Sequence, residues 1–225
     1  MHPRQPDPDT VLDLVRRTTD AEIDRLLNRY LADAPDGAAA LAHLRRTGND
    51  GVLSPTAWSY LRVDPLLPPD TAPDDDPRRH ALNAATTALT LWAHHQQSQR
   101  KRMHRTPRPG RTDTSLDLGG ALSRLAHAGD NASLTPRFTQ LTRMAPAGLP
   151  TTALRPLVRC LREGGVPLDY AELAVQLTRW RLPGGRRAVQ RRWSTSFFET
   201  RPAPRPDSST DPETVTAVTI AKDTP

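Results

Sequence analysis

Prolines divide this sequence into segments with helical spacing, and that division constrains the fold more than any other feature. The chain has 23 prolines in 225 residues. Proline lacks a backbone N–H and clashes with the preceding helical turn, so it favours the start of a helix or a connection between helices. Between the prolines, apolar residues recur every three or four positions, as in Val11, Val15, Ile23 and Leu27. The pattern therefore predicts several separate helices.

Capping residues predict where these helices begin. Ser54-Pro55 and Asp76-Pro77 each place a side-chain acceptor before a proline at the first helical position. A capping box at Thr19 predicts a restart within the first helical segment. Helical segments are expected at about 10–30, 36–44, 77–103, 149–163 and 186–198, and further ones are expected to begin at Ser54 (a turn), Ser115, Thr135 and Asp169. Gly48 is expected to end the second segment, and Gly164 the segment 149–163. We predict an all-α protein of about eight helices in one or two small helical bundles.

Charge is unevenly distributed and divides the chain into three regions. Residues 1–77, acidic and rich in proline, carry 8 Arg and 14 Asp or Glu, a balance of −6. Residues 78–199 carry 20 Lys or Arg and 7 Asp or Glu, a balance of +13. Residues 200–225 have a balance of −1, contain no aromatic residue, and are expected to form a disordered tail. We therefore predict an acidic N-terminal helical region, a basic helical domain and a tail, and a polyanion as partner of the basic domain.

Several classes of protein are disfavoured. The sequence has no apolar run near the ~18 residues of a membrane span and no segment typical of a signal peptide. A single cysteine, Cys160, cannot form an internal disulfide, which fits a cytoplasmic location. His94 and His95 are adjacent and therefore lack the i, i+4 spacing of a helical metal site. We predict no enzymatic activity, no metal and no cofactor.

Arginines on separate helices form the strongest functional signal. Arg155, Arg159 and Arg162 share one helical face at i, i+4 and i+7. Such arginine ridges suit a phosphate backbone, whereas the few aromatic residues have the spacing of a core, so we expect binding without base recognition. The candidate nucleic-acid contacts are Arg100, Lys101, Arg102, Arg105, Arg137, Arg143, Arg155, Arg159, Arg186, Arg187, Arg191 and Arg192. Arg108 and Arg111 extend the first of these strips. The same charges would also suit an acidic protein partner.

Residues 78–199 contain an ordered set of short motifs. They are Ala88-Leu-Thr-Leu-Trp-Ala-His-His-Gln-Gln-Ser98, Ser115-Leu-Asp-Leu-Gly-Gly-Ala-Leu-Ser-Arg-Leu125, Arg137-Phe-Thr-Gln-Leu141, Leu154-Arg-Pro-Leu-Val158, Gly165-Val-Pro-Leu-Asp-Tyr-Ala-Glu-Leu-Ala174, Trp180, and Trp193 followed by Phe197-Phe198. In order, spacing and content, this set resembles the CasB family, the small subunit of the type I-E CRISPR surveillance complex, Cascade. The chain departs from the family's usual Ser-Leu-Gly order, because Asp117 and Leu118 intervene before Gly119.

The resemblance implies a non-catalytic helical subunit. It would associate with other Cascade subunits and a guide RNA, pair with a second copy of itself, and contact the displaced non-target DNA strand to stabilise the R-loop. By position, the family's basic elements correspond here to Arg137, Arg143, Arg155, Arg186 and Arg187. A basic helical adaptor that binds an acidic protein remains the alternative.

Overall fold

A computed structural model describes residues 7–46, 53–68, 76–108, 113–128, 134–143 and 148–199. Within these ranges the chain forms nine α-helices, two short 3₁₀ turns (Asp64–Leu66 and Thr114–Leu116) and no strand. The helices are α1 (Pro8–Leu31), α2 (Pro35–Arg45), α3 (Pro55–Ser59), α4 (Pro77–Gln96), α5 (Leu118–Ala128), α6 (Leu134–Arg143), α7 (Thr151–Glu163), α8 (Tyr170–Arg181) and α9 (Gly185–Glu199). The all-α prediction is confirmed. The predictions for Gly48, Arg111 and the tail 200–225 lie outside the described residues.

Local capping explains most helix starts. Ser54 Oγ accepts a hydrogen bond from the Ala57 amide at 3.1 Å, and Asp76 Oδ1 accepts from the Arg78 amide at 2.7 Å. Asp169 Oδ1 accepts from the Glu172 amide at 2.8 Å. Each bond satisfies an amide that the first helical turn leaves without a backbone partner. The predicted starts of α3, α4 and α8 are therefore confirmed.

Two predicted boundaries in the first half of the chain are wrong. The expected restart at Thr19 is absent, since α1 is continuous from Pro8 to Leu31 and Thr19 is buried inside it. The expected helix 77–103 ends at Gln96, because the backbone of Gln97 turns away from helical geometry (φ −52°, ψ 123°). The buried Gln96 amide stabilises this change of direction by donating to the carbonyls of Gln99 and Lys101 at 2.8 and 2.9 Å. Arg100, Lys101 and Arg102 consequently lie in an irregular segment.

The start of α5 also differs from the prediction. Ser115 lies in a 3₁₀ turn that Asp113 caps, and the helix begins three residues later. Asp117 acts as the cap instead, since its Oδ1 accepts from the Gly120 amide at 3.0 Å. The residue that interrupts the family's usual motif is therefore the one that opens this helix.

The hydrophobic core is built around α4 and α8. Leu89 and Trp92 of α4 and Leu177 of α8 are fully buried. α1 packs across both helices, α7 packs on α4, and α5 and α9 pack against each other next to α8. Buried residues on both sides of residue 77 belong to one apolar cluster. The division of the chain at residue 77 stays a prediction, and α1 and α2 contribute to the same core as α4.

Candidate nucleic-acid interface

An open cleft of about 1120 Å³ lies between α6, α7 and the end of α4. Four arginines line it: Arg137 from α6 and Arg155, Arg159 and Arg162 from α7. Its other lining residues are His94, Gln140, Leu141, Thr152, Ala153, Pro156, Cys160 and Glu163. Three of the predicted contacts, Arg137, Arg155 and Arg159, are therefore brought together in one concave surface.

The amphipathic pattern of α7 explains why its arginines face the cleft. Leu154, Leu157, Val158 and Leu161 are at most 1% exposed and pack into the core. Residues at i, i+4 and i+7 lie on one face of a helix, so burial of the leucine face leaves the arginines at the surface. α6 follows the same rule, since it buries Phe138 and Leu141. Helix packing therefore directs the cationic faces of both helices outward.

His94, at the end of α4, lies close to several arginine charges. Burial, together with the charges of Arg155, Arg45 and Arg162, lowers the pKa of His94 to about 4. The charges of these three arginines thus act in the same direction as burial and oppose protonation of the imidazole. Among the described residues that line the cleft, the one carboxylate is that of Glu163, which accepts from Arg159 at 2.9 Å across one helical turn. The cleft therefore has an excess of positive charge that an anion would neutralise.

Sequence reasoning missed Arg45 and His94. Arg45 lies in the acidic N-terminal region, so the charge count of residues 1–77 concealed it, yet its charge contributes to the lowered pKa of His94. The Arg45-Arg46 pair was the available signal in the sequence. Cys160 is half-buried, lines the cleft, and its Sγ is 3.7 Å from Arg137 Nη1.

Arg143 lies at the end of α6, outside the cleft. It is exposed beside a second, shallower depression lined by Thr135, Pro136, Thr139 and Gln140. Gln140 borders both surfaces, so the two are neighbours. The structure therefore places Arg143 next to the arginine cleft without including it.

The strip that begins at Arg100 faces a different part of the molecule. Arg100 forms an ion pair with Asp33 at 2.9 Å, and Arg102 forms one with Asp24 at 2.8 Å. Lys101 and Arg105 are exposed in the same irregular segment. Part of the negative charge of the N-terminal region thus neutralises part of the positive charge of the basic region.

The arginines of α9 divide between the surface and an internal network. Arg187 and Arg191 are exposed and Arg186 is half-buried. Arg192 instead points toward α5 and α8, where it pairs with Asp117 at 3.4 Å and Glu172 at 3.2 Å. The structure therefore gives Arg192 a role in packing α9, which the sequence pattern did not indicate.

A second polar network anchors α1. Arg16 pairs with Asp169 at 3.1 Å and also contacts Glu172. His104 Nδ1 accepts from the Tyr170 amide at 3.1 Å, so the proton of the neutral ring lies on Nε2 and is donated to Asp20 Oδ1 at 2.8 Å. That hydrogen bond from His104 lowers the pKa of Asp20. Asp20 of α1 thus serves an internal contact.

The cleft and the fold can be compared with known proteins. The family model of CRISPR-associated protein Cse2 matches residues 40–198. The crystal structure of CasB from Thermobifida fusca is similar, with 33% sequence identity, a TM-score of 0.66, and coverage of 82% of this chain and 97% of that chain. A Cse2-family CRISPR-associated protein from Thermus thermophilus shares the fold, with 24% identity, a TM-score of 0.51, and coverage of 85% and 97%. The curated proteins contain no match.

The matched region extends beyond the motifs on which the resemblance was based. It begins within α2 and includes every helix from α3 to α9. None of the helices in the described ranges combines the length and hydropathy of a membrane span. The resemblance drawn from the sequence is confirmed, and the chain belongs to the Cse2 (CasB) family of CRISPR-associated proteins.

Proposed function

We propose that this chain is the non-catalytic small subunit of a type I-E Cascade complex and that its arginine cleft binds nucleic acid through phosphates. The bound strand would be the displaced non-target strand of the R-loop. Family membership supports the assignment to a CRISPR complex. The single observation that carries the binding role is the convergence of Arg137, Arg155, Arg159 and Arg162 on one cleft.

The chemistry of the lining suits a strand bound without base recognition. Guanidinium groups form paired hydrogen bonds with phosphate oxygens, and phosphates are identical at every position of a strand. The aromatic side chain nearest in sequence to the arginines of α6, Phe138, is buried and cannot reach a base. Each phosphate neutralised on a single strand changes the slope of log K against log salt by about −0.7. The affinity of the cleft should therefore fall steeply as salt increases.

Modest affinity is sufficient for this role. Replacing a DNA duplex by an RNA–DNA heteroduplex is nearly balanced in free energy, so protein contacts to the released strand shift the equilibrium. Contact with phosphates alone stabilises the displaced strand whatever its sequence. The other subunits of the complex, the guide RNA and a second copy of this chain are its proposed partners, and its proposed location is the cytoplasm.

The test reverses two exposed arginines of the cleft. The double variant Arg137→Glu, Arg159→Glu is compared with Arg17→Glu, Arg62→Glu, which changes the net charge equally at two exposed positions in the N-terminal region. Fluorescence anisotropy measures binding of each purified chain to a labelled single strand over a range of salt concentrations. A gel-shift assay measures R-loop formation by the complex assembled with each variant.

We expect the cleft variant to bind the single strand at least tenfold more weakly and to impair R-loop formation. Its slope of log K against log salt should be less steep than that of the wild type by about 1.4. The control variant is expected to keep the wild-type salt slope. Equal losses in both variants, or normal R-loops with the cleft variant, would show that the cleft is not the binding surface. Loss of a protein subunit from the complex while strand binding is retained would favour the acidic-partner alternative.

A further inference from the structure

The end of α9 exposes an aromatic ring that the sequence pattern assigned to the core. Phe198 is 68% exposed, whereas Trp193 and Phe197 of the same helix are buried. The other exposed large hydrophobic side chains in the described part of the chain are Trp58 and Leu67, which belong to α3 and to the segment after it. Phe198 therefore exposes an aromatic ring on the surface of a basic helix.

Within the described ranges, Phe198 contacts one other aromatic ring, that of its neighbour Phe197. Its ring is perpendicular to that of Phe197, with centroids 5.4 Å apart. Phe197 in turn stacks on Phe138 of α6, with centroids 4.6 Å apart and an angle of 23° between the planes. An edge-to-face contact of this kind is a favoured aromatic geometry. Phe198 thus forms the exposed end of a row of three aromatic rings.

Two exposed arginines are aligned with this ring. Successive helical residues are rotated by about 100°, so Phe198 lies about 20° around the helix axis from both Arg187 and Arg191. With a rise of 1.5 Å per residue, Arg187 and Arg191 are separated by about 6 Å along the axis, and Phe198 follows about 10 Å further on. All three side chains are exposed. One face of α9 therefore presents two cations followed by a planar apolar ring.

We propose that Phe198 stacks on an unpaired base of a nucleic-acid strand whose phosphates are bound by Arg187 and Arg191. The proposal rests on the proposed function, because it requires that the chain binds a single strand. Every base has a π face, so stacking on Phe198 adds affinity without adding sequence preference. Arg187 and Arg191 supply the phosphate contacts that single-strand binding proteins combine with stacking aromatics. This assigns α9 as a second contact surface beside the arginine cleft.

The surroundings of Phe198 favour a strand over a protein partner. A helix that docks into a protein groove presents apolar anchors at i, i+3, i+4 and i+7. On the exposed face of α9, the positions one and two turns before Phe198 are occupied by Ser194 and Arg191. A single exposed aromatic ring beyond two arginines offers one stacking contact and two phosphate contacts, and no apolar row for a protein groove.

The experiment separates base contacts from phosphate contacts. Fluorescence anisotropy measures binding of the full chain to a labelled oligonucleotide and to the same oligonucleotide made with abasic residues at every position. The variants are Phe198→Ala, Phe198→Trp and, as a control at another exposed aromatic, Trp58→Ala. Gel filtration of the reconstituted complex monitors whether each variant still assembles.

We expect Phe198→Ala to weaken binding of the base-bearing strand about five- to 150-fold and to leave binding of the abasic strand unchanged. Phe198→Trp should keep wild-type affinity for both strands, and Trp58→Ala should change neither. Equal affinities of Phe198→Ala and the wild type for the base-bearing strand, or equal losses on both strands, would overturn the stacking proposal. So would a failure of Phe198→Ala to assemble while its strand binding stays normal, which would assign the ring to a protein contact. If the wild type binds neither strand, the proposed function itself fails.

Discussion

Replacing Gly119 by alanine is expected to destabilise the packing of α5 on α9, the helix that carries Arg187, Arg191 and Phe198. A Cβ atom at position 119 would lie 2.0 Å from the carbonyl oxygen of Trp193 and 2.4 Å from Ser196 Oγ. The nearest atom belongs to the backbone of α9, so a change of side-chain rotamer cannot relieve the contact. The two helices therefore have to move apart.

The magnitude follows from the distances. Restoring an ordinary van der Waals separation of 3.4 Å requires a displacement of about 1.4 Å between the helices. Overpacking of a well-packed core costs typically 1–3 kcal/mol, and a backbone clash lies at the upper end of that range. Alanine recovers about 1 kcal/mol through its higher helix propensity. The expected net loss in the free energy of unfolding is about 2 kcal/mol.

Urea denaturation followed by circular dichroism measures this loss. With a denaturant slope of about 2 kcal/mol/M, the midpoint should fall by about 1 M. Gly148→Ala is the matched control, because its Cβ would meet no atom within 4 Å, and it should change stability by less than about 0.5 kcal/mol. A Gly119→Ala variant as stable as the wild type would refute the close approach of α5 and α9 described here.

Two further predictions concern buried polar groups. Burial lowers the pKa of His95 to about 4, so at this site only the unfolded chain takes up a proton as pH falls below about 6.5. His95 alone should therefore lower the free energy of unfolding by up to about 3 kcal/mol between pH 6.5 and 4. Urea midpoints over this range should fall less for His95→Gln than for the wild type, and parallel profiles would contradict the assignment. Gln176→Leu removes the acceptor for the buried Trp193 indole N–H, 2.5 Å from Gln176 Oε1, and should cost about 1–3 kcal/mol. A loss below about 0.5 kcal/mol in urea denaturation would show that another group satisfies the indole.

Helix positions were predicted best where the signal is local. The starts at Ser54, Asp76 and Asp169 depend on an acceptor two or three residues before a helical amide, and the sequence shows these residues directly. The end of α4 depends instead on the buried Gln96 amide, and burial is a property of the packed molecule. The prediction continued this helix to residue 103, because the polar residues after Gln96 do not interrupt the hydrophobic spacing of a helix.

The candidate site could be predicted only in part, because spacing along the chain shows which residues share one helix face and does not show how helices pack. The arginine face of α7 follows from spacing within one helix, so Arg155 and Arg159 could be grouped from the sequence. Their meeting with Arg137 of α6 and His94 of α4 depends on how three helices pack. The exposure of Phe198 beside the buried Phe197 was also missed, because adjacent aromatic residues near a helix end give the same sequence pattern whether one or both enter the core.

The sequence by itself determined the helical class, the apolar face of each helix and the surplus of positive charge in residues 78–199. Only the tertiary structure decided which of those charges are neutralised inside the molecule. Arg100 and Arg102 reach carboxylates 67 and 78 residues earlier in the chain, whereas Arg45, from the acidic region, lies near the arginines of the cleft. The physical reason is that Coulomb energy depends on the distance between charges in space, while spacing along the chain determines only which side chains share a helical face.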